Sequence, residues 1–308
     1  MALLALNPGA HGGRGHEIWA RLKNEVTKKL NIEVVQTTPA TGWYSQVSGA
    51  IKDGIRIFIA GGGDGTVNSL LNAIVLGKKN CALSDFSLGA LGLGSSNDFH
   101  KPVREYLHGI PVKINTEKKQ QRDIGMATFI ANNGKKNRHY FIISAAIGVV
   151  AEANHFFNTG DGIQEFLKRN WTEAGIIHAA LRTIVMYRNF PVHIKNKDAL
   201  NLKLKLTNLS VLKTPFLSGS FCYDSPVTPD DGRFSVNICE NMSLTETLQT
   251  LVDLARGIFL GKPKRQHMYL SEFEVRSKNP VALELDGEVF QARKVRFECL
   301  DERINECM

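Results

Sequence analysis

The sequence predicts an α/β half, built on a doubly wound, mostly parallel sheet, followed by a β half of antiparallel strands. Two observations carry the division. Up to about residue 120, short apolar runs rich in β-branched residues alternate with amphipathic helical stretches, and the turns between them are rich in glycine or threonine. After it, strand-like runs follow one another with two helical interruptions, the texture of an antiparallel two-layer sandwich. Length agrees, because 308 residues suit two domains better than one; they are placed at 1–120 and 121–308.

The first strand is the apolar run after Met1, closed by Asn7-Pro8 and too short, without a basic start, for a signal peptide. A glycine-rich turn from Asn7 to Gly15 leads into a helix over about 16–30, whose Ile18, Leu22 and Val26 share one face. The strand Ile32–Gln36 follows, then the turn Thr37 to Gly42 and a helix to about Lys52. The stretch that organises the rest is Ile55 to Asn68. It opens as a short apolar strand, places four glycines around Asp64, and continues as a helix with Val67, Leu70, Leu71, Ile74 and Val75 at helical spacing. Phe86 to Leu91 is the next strand and runs into Gly92 to Phe99.

Strand, glycine turn and helix form a layout in which backbone N–H groups and a helix N-terminus face an anion. Glycine loses the most freedom on ordering, so three in succession need a reason. Close approach of a phosphate is one; a tight turn without a ligand is another. Asp64 favours the first only with a cation between carboxylate and phosphate, which points to Mg²⁺-bound nucleotide. Neither G-x-x-x-x-G-K-[ST] nor a post-strand G-x-G-x-x-G occurs. The glycine and threonine turns all fall at strand carboxyl ends, where open parallel sheets bind ligands.

Composition narrows the class. Hydrophobic content of 43% and a mean hydropathy of −0.15 suit a globular chain, and no apolar run reaches the length of a membrane span. Cysteines 81, 222, 239, 299 and 307 show neither zinc spacing nor a C-x-x-C pair, which suggests a reducing cytoplasm. A formal charge of +8 favours anionic partners, and no nucleic-acid-binding motif is present.

A polar stretch at 118–124 separates the halves. Strands are expected at about 124–131, 139–145, 191–195, 201–209, 217–223, 234–239, 272–277, 281–285 and 294–299. One helix is expected over about 173–187, with Ile176, Ile177, Ala180, Leu181 and Ile184 inward. Another spans about 244–260, with Leu248, Leu251, Val252, Ala255 and Ile258 inward. Two turns stand out: Asp230-Asp231-Gly232, and Asp286-Gly287-Glu288 at a strand end. By themselves they are ordinary turns.

Gly62-Gly63-Asp64-Gly65-Thr66 resembles the first signature of the diacylglycerol kinase catalytic family, which includes bacterial lipid kinases and the sphingosine and ceramide kinases. Gly94-Ser95-Ser96-Asn97-Asp98-Phe99 is similar to the family's second signature, with serines in place of a threonine and a glycine, and His100 in place of alanine. Thr38 ahead of Gly42 matches a family threonine, Asp231-Gly232 the family's Asp-Asp-Gly loop, and Leu285-Asp286-Gly287-Glu288 its C-terminal motif. Ile143 departs from an asparagine common in relatives.

The resemblance implies an ATP-dependent lipid kinase with its active site in a cleft between the domains. Mg-ATP would lie on Thr38, Gly62, Gly63, Asp64, Gly65, Thr66, Val67, Asn68 and Ser95. Asp64 would orient the catalytic metal and Glu288 would deprotonate the lipid hydroxyl. Asp231, with backbone at Thr228 and Arg233, would hold a structural Mg²⁺. It also implies a cytoplasmic protein, peripherally bound to membrane through bases near Lys262, Lys264, Arg265 and His267. A homodimer is left open. The alternatives are an NAD kinase-like enzyme, since NAD kinases carry a similar motif, and a nucleotide-binding regulatory protein without catalysis.

Overall fold

The computed structural model describes residues 1–38, 41–131, 134–160, 172–197 and 200–308. The chain divides into two compact units, residues 1–124 with 301–308, and residues 125–300.

In the first unit, strand β1 (Ala2–Leu6) lies between β2 (Ile32–Gln36) and β3 (Ile57–Gly62), and β3 pairs with β4 (Ser87–Gly92); all three pairings are parallel. Strands β1 and β4 are buried along their whole length, which is why they read as unbroken apolar runs rather than alternating ones. Edge strand β2 is largely exposed. Helix α1 (Gly15–Lys29) sets Ile18, Trp19, Leu22 and Val26 against Leu4, Leu6, Ile59 and Leu91. Helices α2 (Tyr44–Lys52) and α3 (Asp64–Gly77) complete the β-α alternation. The order β2-β1-β3-β4 reverses direction between β1 and β3, so the turns after those two strands flank a topological switch point.

The last eight residues were expected in the second domain and belong to the first unit. Asn305 and Glu306 pair in parallel with Ser87 and Leu88, and Met308 exchanges backbone bonds with Asn115. The cause is electrostatic. Glu306 is buried, and burial pushes its carboxyl up, but ion pairs with Arg122 and Lys113 outweigh this and hold it below the ordinary range.

The second unit is an antiparallel ladder. Strands β5 (Lys119–Ala131) and β6 (Lys136–Phe141) pair with each other. Strands β7 (Ser144–Gly148) and β8 (Phe190–Lys195) lie end to end between β9 (Asn201–Leu212) and β12 (Glu272–Leu285). The other edge of β9 pairs with β10 (Phe234–Glu240), which pairs with β11 (Arg265–Leu270), while β12 pairs with β13 (Glu288–Cys307). The expected sandwich of two sheets is therefore one ladder whose inner face closes on itself. Phe141 of β6 stacks on Phe234 of β10 with centroids 5.6 Å apart, in one core with Phe273 and Phe297. The strands expected at 272–277 and 281–285 are a single strand, broken in register between Arg276 and Val281, where Pro280 cannot donate to the ladder.

Two helices turn an unexpected face outward. Helix α4 (Val149–Thr159) was not foreseen; α5 (Thr172–Met186) and α6 (Leu244–Ala255) were foreseen with apolar stripes inward. Helix α6 starts at Ser243, whose side chain accepts the Glu246 N–H while Glu246 returns a bond to the Ser243 N–H. It buries Thr247, Thr250, Asp253 and Leu254 and exposes Leu244, Leu248 and Val252. The inversion follows from Arg265, which reaches in from β11 to pair with Asp253 at 2.7 Å and bond Thr250 at 3.1 Å. On α5, Ile184 is buried but Leu181, Val185 and Met186 are exposed; the side chains of Ile176 and Ile177 lie outside the described residues.

Candidate functional site

In the first unit the site grows from two turns at adjacent strand ends. The first, at the end of β3, enters α3, whose N-terminus no side chain caps. The second follows β4. Their glycines touch: a Cβ on Gly94 would stand 2.4 Å from the Gly63 Cα, and one on Gly62 would stand 2.1 Å from the Thr66 Oγ1. Packing of turn on turn thus accounts for Gly62, Gly63 and Gly94 by itself. Asn97 shapes the second turn. It takes the left-handed conformation (φ 49°), its Oδ1 accepts the Gly94 N–H at 3.0 Å, and its Nδ2 donates to the carbonyls of Gly92 at 3.2 Å and Gly94 at 2.9 Å. Ser96 is not left-handed, so a serine fits where relatives have glycine.

Asp64 joins the turns. Its Oδ2 accepts the Asp98 N–H at 3.0 Å and its Oδ1 the Phe99 N–H at 3.1 Å. Backbone amides thus already offset its charge, so a carboxylate at this position does not by itself demand a metal counter-ion. Among the described residues no cluster of three His, Cys, Asp or Glu side chains could hold an ion.

Accessibility sorts the expected nucleotide residues. Gly63, Asp64 and Gly65 are partly exposed, and Thr38 and Ser95 are exposed. Gly62, Thr66, Val67 and Asn68 are buried. Thr66 Oγ1 accepts from the Asn7 amide at 3.3 Å, and Asn68 accepts through its carbonyl from the Asn72 side chain at 2.9 Å. The Thr66 and Val67 N–H groups close the turn onto the Gly63 carbonyl. These four build the turn from behind; its accessible rim is Gly63 to Gly65 and Ser95.

In the second unit, Asp286 and Gly287 form a two-residue hairpin turn, both with positive φ (48° and 93°). Buried Asp286 points its carboxylate at the segment before β7. Oδ2 accepts the Ile142 N–H at 2.8 Å, and Oδ1 accepts those of Ile143 and Ser144 at 2.9 and 2.8 Å. Glu288, first after the turn, keeps its access to solvent, yet the atoms packed around its carboxyl partly desolvate it and raise its pKa. Asp286 was not singled out by itself, although the Asp-Gly pair signals a hairpin. Ile143 serves through its backbone: its N–H goes to Asp286 and its carbonyl accepts the Lys213 N–H at 2.9 Å. Any side chain supplies those bonds.

The three groups expected to hold a structural Mg²⁺ do come together, around a lysine. The Lys213 ammonium donates to the Thr228 carbonyl at 2.8 Å, the Arg233 carbonyl at 2.8 Å and Asp231 Oδ1 at 3.3 Å. Asp231 also accepts from the Arg233 backbone at 3.1 Å and guanidinium at 3.3 Å. These residues do not fit a divalent ion, because a buried cation already takes the oxygens that would bind it.

The unit also contains a cavity of about 590 Å³ between α4, α5 and the irregular part of β12. Phe156, Met186, Phe190 and Val281 line it with Arg182 and Lys278, and the Arg182 guanidinium lies 4.5 Å from the Phe156 ring centroid. Of the basic residues expected near a membrane, Arg265 is buried against Asp253, and Lys264 pairs with Glu246 at 2.7 Å.

Residues 1–128 match the model of the diacylglycerol kinase catalytic domain. An uncharacterised protein of Synechocystis is 21% identical over 98% of this chain and 69% of its own length. The diacylglycerol kinase of Staphylococcus saprophyticus is 25% identical over 89% of this chain and 85% of its own. A solved structure from Bacillus anthracis, provisionally assigned as a diacylglycerol kinase, shares the fold with a TM-score of 0.74 at 19% identity, covering 99% of this chain and 96% of that one. Residues 1–128, which carry both glycine turns and the aspartate that joins them, match the diacylglycerol kinase catalytic-domain family.

Proposed function

We propose that this protein is an ATP-dependent lipid kinase that transfers the γ-phosphoryl group to a lipid hydroxyl. The observation that carries the reading is the coupled pair of glycine turns at parallel strand ends, inside the segment that matches the kinase family. Their accessible rim, Gly63 to Gly65 with Ser95, presents a helix N-terminus to the nucleotide phosphates. Asp64 positions the two turns at the accessible rim that faces the nucleotide. Mg²⁺ would arrive with ATP, held largely by phosphate oxygens, and neutralise their charge. Glu288 is the general base toward the acceptor hydroxyl, fixed at the hairpin tip by Asp286.

The second unit supports an amphiphilic acceptor. Its cavity joins apolar walls to Arg182 and Lys278, and Leu181, Val185, Met186, Leu244, Leu248 and Val252 place apolar side chains in solvent on two helices. We assign those helices to the membrane surface, with exposed Lys262 close in sequence. No helix among the described residues is long and apolar enough to cross a membrane.

The test is a transfer assay with labelled ATP against vesicles carrying diacylglycerol, phosphatidylglycerol or a sphingoid base, with NAD as a separate acceptor. Label in one lipid class supports the reading. Label in NAD alone replaces it with the NAD kinase alternative, and ATP binding without any transfer with the regulatory one. Vesicle binding should rise with anionic lipid, fall with salt, and weaken in Leu248→Ser/Val252→Ser, since surface charges are screened beyond about 10 Å at 0.1 M salt.

A further inference from the structure

We infer that Lys213 is a built-in replacement for the structural divalent ion that the Asp231 loop would otherwise take, so the second unit holds this loop without metal. This goes beyond the kinase reading and does not depend on it.

The ammonium has three N–H donors. The structure supplies three oxygens from one loop: the carbonyls of Thr228 and Arg233, each at 2.8 Å, and Asp231 Oδ1 at 3.3 Å. They are the oxygens that the resemblance assigns to Mg²⁺. The Lys213 side chain has no solvent exposure, while Asp231 keeps 17%. A lysine ammonium with no water around it must be paired and hydrogen-bonded, or it loses its charge. Here a carboxylate and two carbonyls meet that need. They meet the needs of a hard cation equally well, which is why one donor set serves either.

Both cations cannot be present. Mg²⁺ requires oxygens at about 2.0–2.1 Å in a near-octahedral shell. An Nζ at 2.8 Å from two of the same oxygens occupies that volume and repels a second positive charge. The remaining capacity of Asp231 is also engaged, by the backbone and guanidinium of Arg233. The lysine is well anchored: its own N–H bonds the Ile143 carbonyl at 2.9 Å, and it follows directly after β9. The neighbouring bond on Ile143, from its N–H, goes to Asp286. The cation in the loop is therefore two links from the hairpin that carries Glu288.

The experiment is thermal melting of the nucleotide-free protein in EDTA and in Mg²⁺, with metal content measured after gel filtration. The expected result is the same melting temperature in both and no stoichiometric divalent metal. Lys213→Met, which keeps length and removes charge, should melt lower by roughly 10 °C, because it leaves a buried ion pair broken. In Lys213→Ala, which empties the volume, Mg²⁺ should raise the melting temperature, and adding Asp231→Asn should abolish that rise. The inference is overturned if the unmutated protein gains stability saturably with Mg²⁺ and Asp231→Asn removes the gain. Co-purification of one divalent ion per chain, or a Lys213→Met variant as stable as the parent, would also overturn it. None of these readings uses activity, so failure of the kinase assay leaves them intact.

Discussion

Asp64 and Asp286 stand in the same local setting, an aspartate followed by glycine at the end of a strand, and both spend their carboxylates on backbone amides far along the chain. They differ in what is left over. Asp286 is 2% exposed and accepts three N–H bonds in a hairpin turn, so it has little capacity for chemistry and acts by tying the hairpin that carries Glu288 to the segment from Ile142 to Ser144. Asp64 is partly exposed at a helix N-terminus, and each of its carboxylate oxygens accepts a backbone amide. Being partly exposed, Asp64 can position its neighbours from the rim of the turn rather than from the core. The contrast shows that an aspartate inside a kinase-like signature is first a positioning residue, and that exposure decides whether it is anything more.

The sharpest way to break that comparison is to remove the acid beside the buried aspartate. Glu288→Gln should lower lipid phosphorylation by roughly 10²–10⁴-fold, the usual share of a general base, with the KM for ATP unchanged. Melting should stay close to that of the parent, since Glu288 is exposed. If the variant keeps most of its activity, Glu288 is not the base and the hairpin is purely structural.

Asp286→Asn should come next, and should differ by costing stability as well. One amide oxygen must then serve the three N–H groups that the carboxylate serves, and an NH₂ faces buried donors. The expected loss is about 3 kcal/mol, read in denaturant or thermal unfolding. Turnover should fall through displacement of Glu288, so the double variant with Glu288→Gln should lose little more activity than Glu288→Gln alone. A fully additive double variant would separate the two residues.

Asp64→Asn should be milder in stability, about 1–2 kcal/mol, because its two amide bonds lie near solvent. If the turns hold the nucleotide phosphates as proposed, it should raise the KM for ATP as well as slow turnover, since Asp64 sets the relative position of the turns. Unchanged ATP affinity would leave Asp64 with the same purely structural role as Asp286.

The two units also differ in how legible they were. In the first, the four parallel strands were readable because those buried on both faces print as apolar runs and glycine turns punctuate them, whereas the short strands Tyr106–Leu107 and Ile110–Lys113 were not. Its last piece was not, because Glu306 belongs there through Lys113 and Arg122, a pairing across the chain that no local pattern records. In the second, helix α4 went unseen because the apolar run passes from β7 through Gly148 into the helix without a capping side chain. The stripe on α6 had helical spacing, and spacing alone cannot say which way it faces; Asp253 and Arg265 reverse it. The site divided likewise. Motifs located the turns, but Asp64 bonds Asp98, 34 residues away, Asp286 bonds Ser144, 142 residues away, and Lys213 bonds Thr228, 15 residues away, pairings that emerge only in three dimensions.

The smallest expected effect is a displacement of a pH profile, and it tests the assignment of Glu288 most directly. Desolvation raises the carboxyl of Glu288 above the ordinary glutamate value of 4.5. A general base works only when deprotonated. The rate should therefore fall as pH drops through this raised pKa and level off above it, giving an acid limb that ends at higher pH than an unperturbed glutamate would give. The profile of kcat/KM reports the free enzyme, so it should be taken at low lipid with ATP saturating, above the pH where ATP itself protonates. In Glu288→Gln the residual rate should lose this limb. Asp64→Asn should keep it at the same position, because the Asp64 amide bonds are in the first unit and Glu288 lies in the second. A limb that survives Glu288→Gln and vanishes in Asp64→Asn would transfer the base to Asp64 and reverse the roles assigned to the two sites.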